Sequence, residues 1–216
     1  LATSNGISKF DGSNFINYSK NLGLPAKLVT AIHVDRKNSD VVWTGSEKSG
    51  LTRFDKDGFF NFATQDGLPS NSIRDITQSK NGDLIIACYN AGVVKYNGKS
   101  FKLFNKGLAD KRVILVTNGP EGSIWAGTES AGIGILKDNE FKMVIDSDGL
   151  GHNEIFSLYN DGKRMWAGTF GGGLSCLSNN TWFTLRESDG LISNTIGAIA
   201  AIDNNHFILG LSLIHI

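Results

Sequence analysis

Cysteine is scarce in this chain: 216 residues hold two, Cys88 and Cys176. Two thiols cannot staple a disulfide-rich scaffold, and without a Cys-x-x-Cys pair a zinc or dithiol redox centre has no support. Net charge is absent too. Lys plus Arg and Asp plus Glu number 21 each, and no basic run of five or more residues occurs. That leaves no electrostatic case for nucleic acid or an anionic membrane surface. Apolar stretches such as Val113-Ile114-Leu115-Val116 fall far short of the ~18 residues that span a bilayer. The first residues do not read as a secretory leader. A chain opening on Leu1 rather than Met is expected to be processed or truncated, so this decides nothing. Proline is rare at 3, whereas glycine reaches 26, and apolar residues make up 40%. Many glycines spread along such a chain predict many turns between short strands over a buried core.

What the chain does contain is a repeat. Trp43-Thr44-Gly45-Ser46, Trp125-Ala126-Gly127-Thr128 and Trp166-Ala167-Gly168-Thr169 share one pattern. Ile86-Ala87-Cys88-Tyr89 and Ile208-Leu209-Gly210 read as degenerate copies, and Leu1-Ala2-Thr3-Ser4 as the start of another. A Gly-Leu pair recurs in phase, at Gly23, Gly67, Gly107, Gly149 and Gly190. Between these markers lie Phe10-Asp11-Gly12, Tyr96-Asn97-Gly98, Asp138-Asn139 and Asn179-Asn180. Such residues tolerate positive φ and predict hairpin turns.

Each repeat reads as four strands. In the second repeat they fall at 72–78, 84–88, 92–96 and 101–104. Four short strands per ~40 residues is the pattern of a propeller blade. The expected fold is therefore an all-β β-propeller, incomplete and forming one domain over 1–216. Its repeats of about 42 residues start near Leu1, Trp43, Ile86, Trp125, Trp166 and Ile208. Four full blades are expected between about Lys27 and Arg186, with a partial blade on either side. Their innermost strands should begin near Leu28, Ser72, Arg112, Glu154 and Thr195. Residues 211–216 break the pattern and look like either foreign read-through or a degenerate strand.

The combined run Trp-x-Gly-Thr, Gly-Leu, Phe-Asp-Gly, Phe-x-x-Phe and Asp-Gly-Leu-Pro-x-Asn-x-Ile, plainest over 43–73, resembles the two-component regulator propeller repeat. The resemblance implies a periplasmic sensor segment of a hybrid histidine kinase, with an oligosaccharide as the class of ligand. It also implies that signalling, and any membrane attachment, belong to other parts of the parent protein.

Ligand residues should lie where the loop leading into each innermost strand meets the loop between the second and third strands. The leading loops offer Lys27, Asn71, Lys111, Asn153 and Asn194, and the second-to-third loops Glu47, Tyr89, Asn90, Glu129 and Phe170. A polar ring with a few aromatic faces suits a sugar. Asn71, Asn153 and Asn194 recur, which favours loop capping over ligand contact. Arg74, Tyr89, Arg112 and Phe170 do not recur, and are the stronger ligand candidates. Trp43, Trp125 and Trp166 recur and should be core. Asp55-Lys56-Asp57-Gly58 and Asp146-Ser147-Asp148-Gly149 lack the further ligands of a calcium loop and read as turns.

The expected role is binding without a cofactor or metal, not catalysis. A competing hypothesis is a propeller lyase of the streptogramin-inactivating type, kept open by His152 and Glu154, which would share one strand face. A protein-interaction scaffold is the third. The cysteines should be free and buried. Uncovered terminal blades should leave an open arc prone to aggregate or to form a homodimer.

Overall fold

The computed structural model describes residues 1–203 and 206–211. Residues 212–216, nearly all of the stretch that breaks the repeat, lie outside the described residues. The chain divides into two compact units, Leu1–Phe104 and Asn105–Ile216. Both are built of antiparallel strands. Among the described residues the helical structure consists of short 3₁₀ turns of three residues each. None is long and apolar enough to cross a membrane.

The first unit opens with a three-stranded sheet of β1 (Ala2–Thr3), β2 (Gly6–Phe10) and β3 (Phe15–Tyr18). A four-stranded sheet follows, of β4 (Val29–Val34), β5 (Val42–Ser46), β6 (Leu51–Asp55) and β7 (Gly58–Phe62). The next holds β8 (Ile73–Gln78), β9 (Leu84–Cys88), β10 (Gly92–Tyr96) and β11 (Phe101–Phe104). In the second unit come β12 (Val113–Asn118), β13 (Ile124–Thr128), β14 (Ile133–Lys137) and β15 (Glu140–Val144). They are followed by β16 (Ile155–Asn160), β17 (Met165–Thr169), β18 (Leu174–Ser178) and β19 (Thr181–Leu185). A two-stranded sheet of β20 (Ile196–Ala201) and β21 (Phe207–Leu211) is the last among the described residues. Among the described residues these are four four-stranded blades and two partial ones, in meander order. The innermost strands begin one residue after each expected position. Leu211 pairs with Ile196, so the strand pattern runs through the first residue of the aberrant tail.

Each recurring residue has a local physical task. In four of its five copies the glycine of Gly-Leu ends a 3₁₀ turn in the left-handed region, at φ 92° for Gly67 and 104° for Gly190, where a Cβ would be strained. The leucine after it drops into the core, as with Leu24, Leu68 and Leu150. A Cβ on Gly45 would collide with the Ile73 side chain of the following blade, and one on Gly127 would crowd Leu115 and Ile155. The small residue thus lets the second strand of one blade lie against the first strand of the next. The hydroxyl after it closes the following loop: Thr128 Oγ1 donates to the Gly132 carbonyl at 2.8 Å and Thr169 Oγ1 to that of Gly173 at 2.9 Å.

Pairing register corrects the phase of two repeats by one residue. Ile85, not Ile86, opposes Thr77 as Trp43 opposes His33. At the start, Thr3 pairs with Gly6 and donates Oγ1 to its carbonyl. Thr3 therefore takes the place of Ser46 and Thr128, and Leu1 stands one step beyond the tryptophan position. A loop one residue shorter hid this offset.

The tryptophans are core, as their recurrence predicts. Trp43, Trp125 and Trp166 are 7%, 3% and 6% exposed. Each lies in a seam between blades: Trp43 against Tyr96, Trp125 against Trp182 and Trp166 against Phe207. Their indole N–H groups are satisfied by the turn after the innermost strand, at Asp35 Oδ2, Ser123 Oγ and Asp161 Oδ2. Burial alone would raise the Asp161 carboxyl. Hydrogen bonds from Trp166, the Lys163 and Arg164 amides and the Arg164 side chain outweigh that and hold it at about 2. Cys88 and Cys176 are free and fully buried, and burial pushes their thiols up to about 12 and about 11.

Candidate functional site

One backbone bond, repeated in three blades, builds the candidate site. The residue just before the innermost strand accepts a hydrogen bond from the residue just after the second strand. Ser72 accepts from Tyr89 at 2.8 Å, Arg112 from Glu129 at 3.0 Å and Glu154 from Phe170 at 3.1 Å. The leading loop and the second-to-third loop are thereby held side by side at one end of each blade.

A second repeated feature aims side chains there. Every innermost strand carries a β-bulge at its second residue, between Val29 and Ala31, Ile73 and Asp75, Val113 and Leu115, Ile155 and Ser157, and Ile196 and Ala198. The bulged residues are Thr30, Arg74, Ile114, Phe156 and Gly197. A bulge leaves one residue out of the ladder and re-aims its side chain. These five share no residue type, so alternation along the sequence does not reveal them.

In the first unit the bulge gathers predicted ligand residues. The Arg74 guanidinium carbon stands 4.6 Å from the centre of the Tyr89 ring, a cation–π arrangement. Its Nη2 lies 3.7 Å from Glu47 Oε1, a loose ion pair. Its Nε is buried without a hydrogen-bond partner. Glu47 and Lys27 both line a shallow depression of about 290 Å³, together with Lys20 and Ser49. Glu47 thus links the depression that Lys27 lines to Arg74, which in turn lies over Tyr89.

In the second unit Arg112 has a different fate. Its Nε and Nη2 donate to the two carboxylate oxygens of Asp110, each at 3.0 Å. Nη1 lies 2.6 Å from Glu129 Oε2, and Nη2 also donates to Ser130 Oγ at 2.8 Å. Burial would raise the Asp110 carboxyl, but hydrogen bonds from Arg112 and Ser130 lower it below the ordinary value. Arg112 is a strut between two loops. Phe170 instead joins aromatic neighbours: its ring centre is 5.5 Å from that of Phe156 and 6.4 Å from that of His152. Phe156, a bulge residue, was not among the expected ligand residues.

The three asparagines cap. Asn71, Asn153 and Asn194 each accept through Oδ1, at 2.9 Å, from the backbone N–H seven residues earlier: Thr64, Asp146 and Glu187. Their side-chain oxygens hold the first residue of a 3₁₀ turn. Asp146-Ser147-Asp148 is itself such a turn, and Asp55 accepts from the Asp57 amide in a hairpin, as expected of turns. Among the described residues no three His, Cys, Asp or Glu side chains stand close enough to share a metal ion. His152 Nδ1 accepts the Glu154 backbone N–H at 3.0 Å.

Four-stranded meander blades with a loop-built rim at one end define a β-propeller segment. No protein-family model matches the chain. No curated protein matches it either. Solved structures do. The extracellular domain of the hybrid two component system BT3049 from B. thetaiotaomicron is similar over 98% of this chain, at 23% identity and a TM-score of 0.83. That of BT4673 from the same organism is similar over 97%, at 21% identity and a TM-score of 0.72. A virginiamycin B lyase from Staphylococcus aureus is similar over 98%, at 14% identity and a TM-score of 0.70, and the match covers 79% of the lyase. The chain spans 30% of the BT3049 domain and 29% of the BT4673 domain. The propeller fold expected from the two-component regulator repeat is the fold of these sensor domains.

Proposed function

We propose that this chain is a ligand-binding segment of the propeller of a bacterial two-component receptor, lying on the periplasmic or extracellular side of the membrane, and that it binds an oligosaccharide. The observation that carries this is Arg74. A bulge aims it, Tyr89 stacks on it, and its single ion pair is loose. A stacked guanidinium with donors to spare, beside a flat aromatic face, matches a sugar's hydroxyls and C–H surface. The likeness to sensor extracellular domains supports the same role, and signalling would reside in the rest of the receptor.

Catalysis of the lyase kind would need histidine and acidic groups clustered on this rim. His152 Nδ1 is committed to a backbone amide, and the described residues hold no metal-ligand cluster. The likeness to sensor extracellular domains, at higher TM-scores than the lyase, favours binding over turnover.

The test is calorimetric titration of the protein with a panel of neutral and uronic-acid oligosaccharides, followed by Arg74→Ala and Tyr89→Ala. Each variant should bind at least about tenfold more weakly, the loss of one charge-assisted or stacking contact, with the melting temperature lowered by no more than about 4 °C. Equal affinity in both variants would remove this rim from the binding site.

A further inference from the structure

The second unit holds a groove at the end of its blades opposite the rim. It lies between the β12–β15 and β16–β19 blades and has a volume of about 760 Å³, within the range of small-molecule sites. Trp125, Ile135, Met165 and Leu177 form its apolar floor, and Lys137 and Lys163 stand exposed at its mouth. Both walls are four-stranded blades that follow one another in the chain.

The registers show why this seam is open. Ile135 opposes Trp125 as Arg53 opposes Trp43. Lys137 opposes Glu140 as Asp55 opposes Gly58. Leu177 opposes Met165 as Tyr96 opposes Leu84. In the first unit those three positions are engaged. Arg53 Nη2 lies 2.6 Å from Asp55 Oδ2, and its guanidinium carbon lies 5.6 Å from the centre of the Phe60 ring. The Tyr96 ring packs 5.9 Å from the Trp43 indole and 4.5 Å from Phe101. The turn of residues 35–41 also sends Lys37 Nζ to the Asn81 carbonyl of the next blade, at 2.6 Å. In the second unit the corresponding turn, 119–123, is shorter. Isoleucine and leucine replace the arginine and the tyrosine, and a lysine replaces the aspartate. The seam thus loses a ring and an ion pair, and gains a cation.

The groups left in the groove define what it can hold. The Trp125 indole N–H is spent on Ser123 Oγ at 3.0 Å, so the ring offers apolar surface. Among the described residues no ion pair engages Lys137 or Lys163. Glu121 is the carboxylate at the mouth, so the lysines outnumber it and the local charge is positive. An apolar floor rewards burial of a hydrocarbon body, and unpaired cations attract a negative head.

We infer that this groove binds a small organic anion with an apolar body the size of an aromatic ring, the body lying on Trp125, Met165 and Leu177 and the charge toward Lys137 and Lys163. The groove shares no residue with the saccharide rim, so the two readings stand or fall separately.

The probe is phenylbutyrate, with uncharged phenylbutanamide as its control. In NMR titration of the chain, phenylbutyrate should shift the Trp125 indole N–H and the Met165 methyl saturably, with a Kd of about 1 mM or tighter. The amide should bind at least about threefold more weakly. Lys137→Gln combined with Lys163→Gln should weaken the anion about fivefold and leave the amide unchanged. Leu177→Tyr, which installs the ring that Tyr96 supplies in the first unit, should abolish binding of both. No saturable shift at these two resonances, equal affinity for acid and amide, or an anion affinity untouched by the double substitution would each overturn the proposal. So would undiminished binding by a folded Leu177→Tyr variant. If that variant unfolds by circular dichroism, the lysine substitutions, both at exposed positions, decide alone.

Discussion

Arg74 and Arg112 answered the same sequence criterion, an arginine at the rim that the repeat does not demand, yet they live in different surroundings. Arg112 is gripped by Asp110, Glu129 and Ser130 through short hydrogen bonds. Arg74 keeps one long ion pair, a ring beneath it and an unpartnered Nε. A side chain whose donors are already spent on the protein must break those bonds to take a ligand, at a cost of order 1–3 kcal/mol. One with donors to spare pays no such cost. Non-repetition marks a residue as special, and its partners decide whether it is a strut or a receptor group.

The comparison can be broken most sharply through stability. Arg112→Ala leaves the Asp110 carboxylate, whose side chain is 10% exposed, without its main partner. We expect a loss of about 1–2 kcal/mol, after discounting the exposed half of the guanidinium. That is a fall of about 2–8 °C in melting temperature by calorimetry. Arg74→Ala should cost less than about 0.5 kcal/mol. If the two variants melt together, the distinction fails.

Ligand affinity should rank them in reverse. With any saccharide that binds the wild type, Arg74→Ala should weaken binding about tenfold or more and Arg112→Ala less than about twofold. The opposite order would return the site to Arg112.

Acid titration offers a smaller but cleaner signature. The Asp110 carboxyl is lowered in the folded state, so its contribution is present above the ordinary carboxylate value of about 4. It is lost as pH falls through the folded value. Arg112→Ala removes the largest lowering influence, so stability should fall less steeply below about pH 4 than in the wild type. Asp161, held at about 2, should lose its contribution between about 4 and 2 in both proteins and serves as an internal reference. Equal slopes would show that Asp110 is not tuned by Arg112.

The smallest effect concerns the ring. Tyr89→Phe keeps the face over which Arg74 lies and should change stability little, whereas Tyr89→Leu should cost about 0.5–1 kcal/mol. A double-mutant cycle with Arg74→Ala measures the coupling, and a coupling of zero would dissolve the stacked pair.

Much of this molecule was legible in its sequence. The second blade's strands fall within a residue of their expected bounds, because glycine and asparagine turns separate short alternating runs there. The capping role of Asn71, Asn153 and Asn194 was legible because recurrence reports what the fold requires. The partners of Arg112 were legible only in part. Asp110 stands two residues before it and could have been suspected, but Glu129 arrives from another loop through strand pairing. The bulges were not legible, since Thr30, Arg74, Ile114, Phe156 and Gly197 have no common chemistry. The phase at Ile85 was missed because a second isoleucine, Ile86, follows it and leaves no bulky ring to mark the frame.

Gly50, Gly132 and Gly173 each donate a backbone N–H, at 2.7–2.9 Å, to the carbonyl of Asn71, Asn153 and Asn194 in the following blade. This stitch is written entirely in main-chain atoms. A fastener without side chains is indifferent to which blade stands next in line. Such an array can be duplicated, shortened or shuffled blade by blade without inventing a new joint. Selection is then free to rewrite the rim residues one blade at a time, which is how two blades of one chain can come to hold an arginine as a strut and an arginine as an open hand.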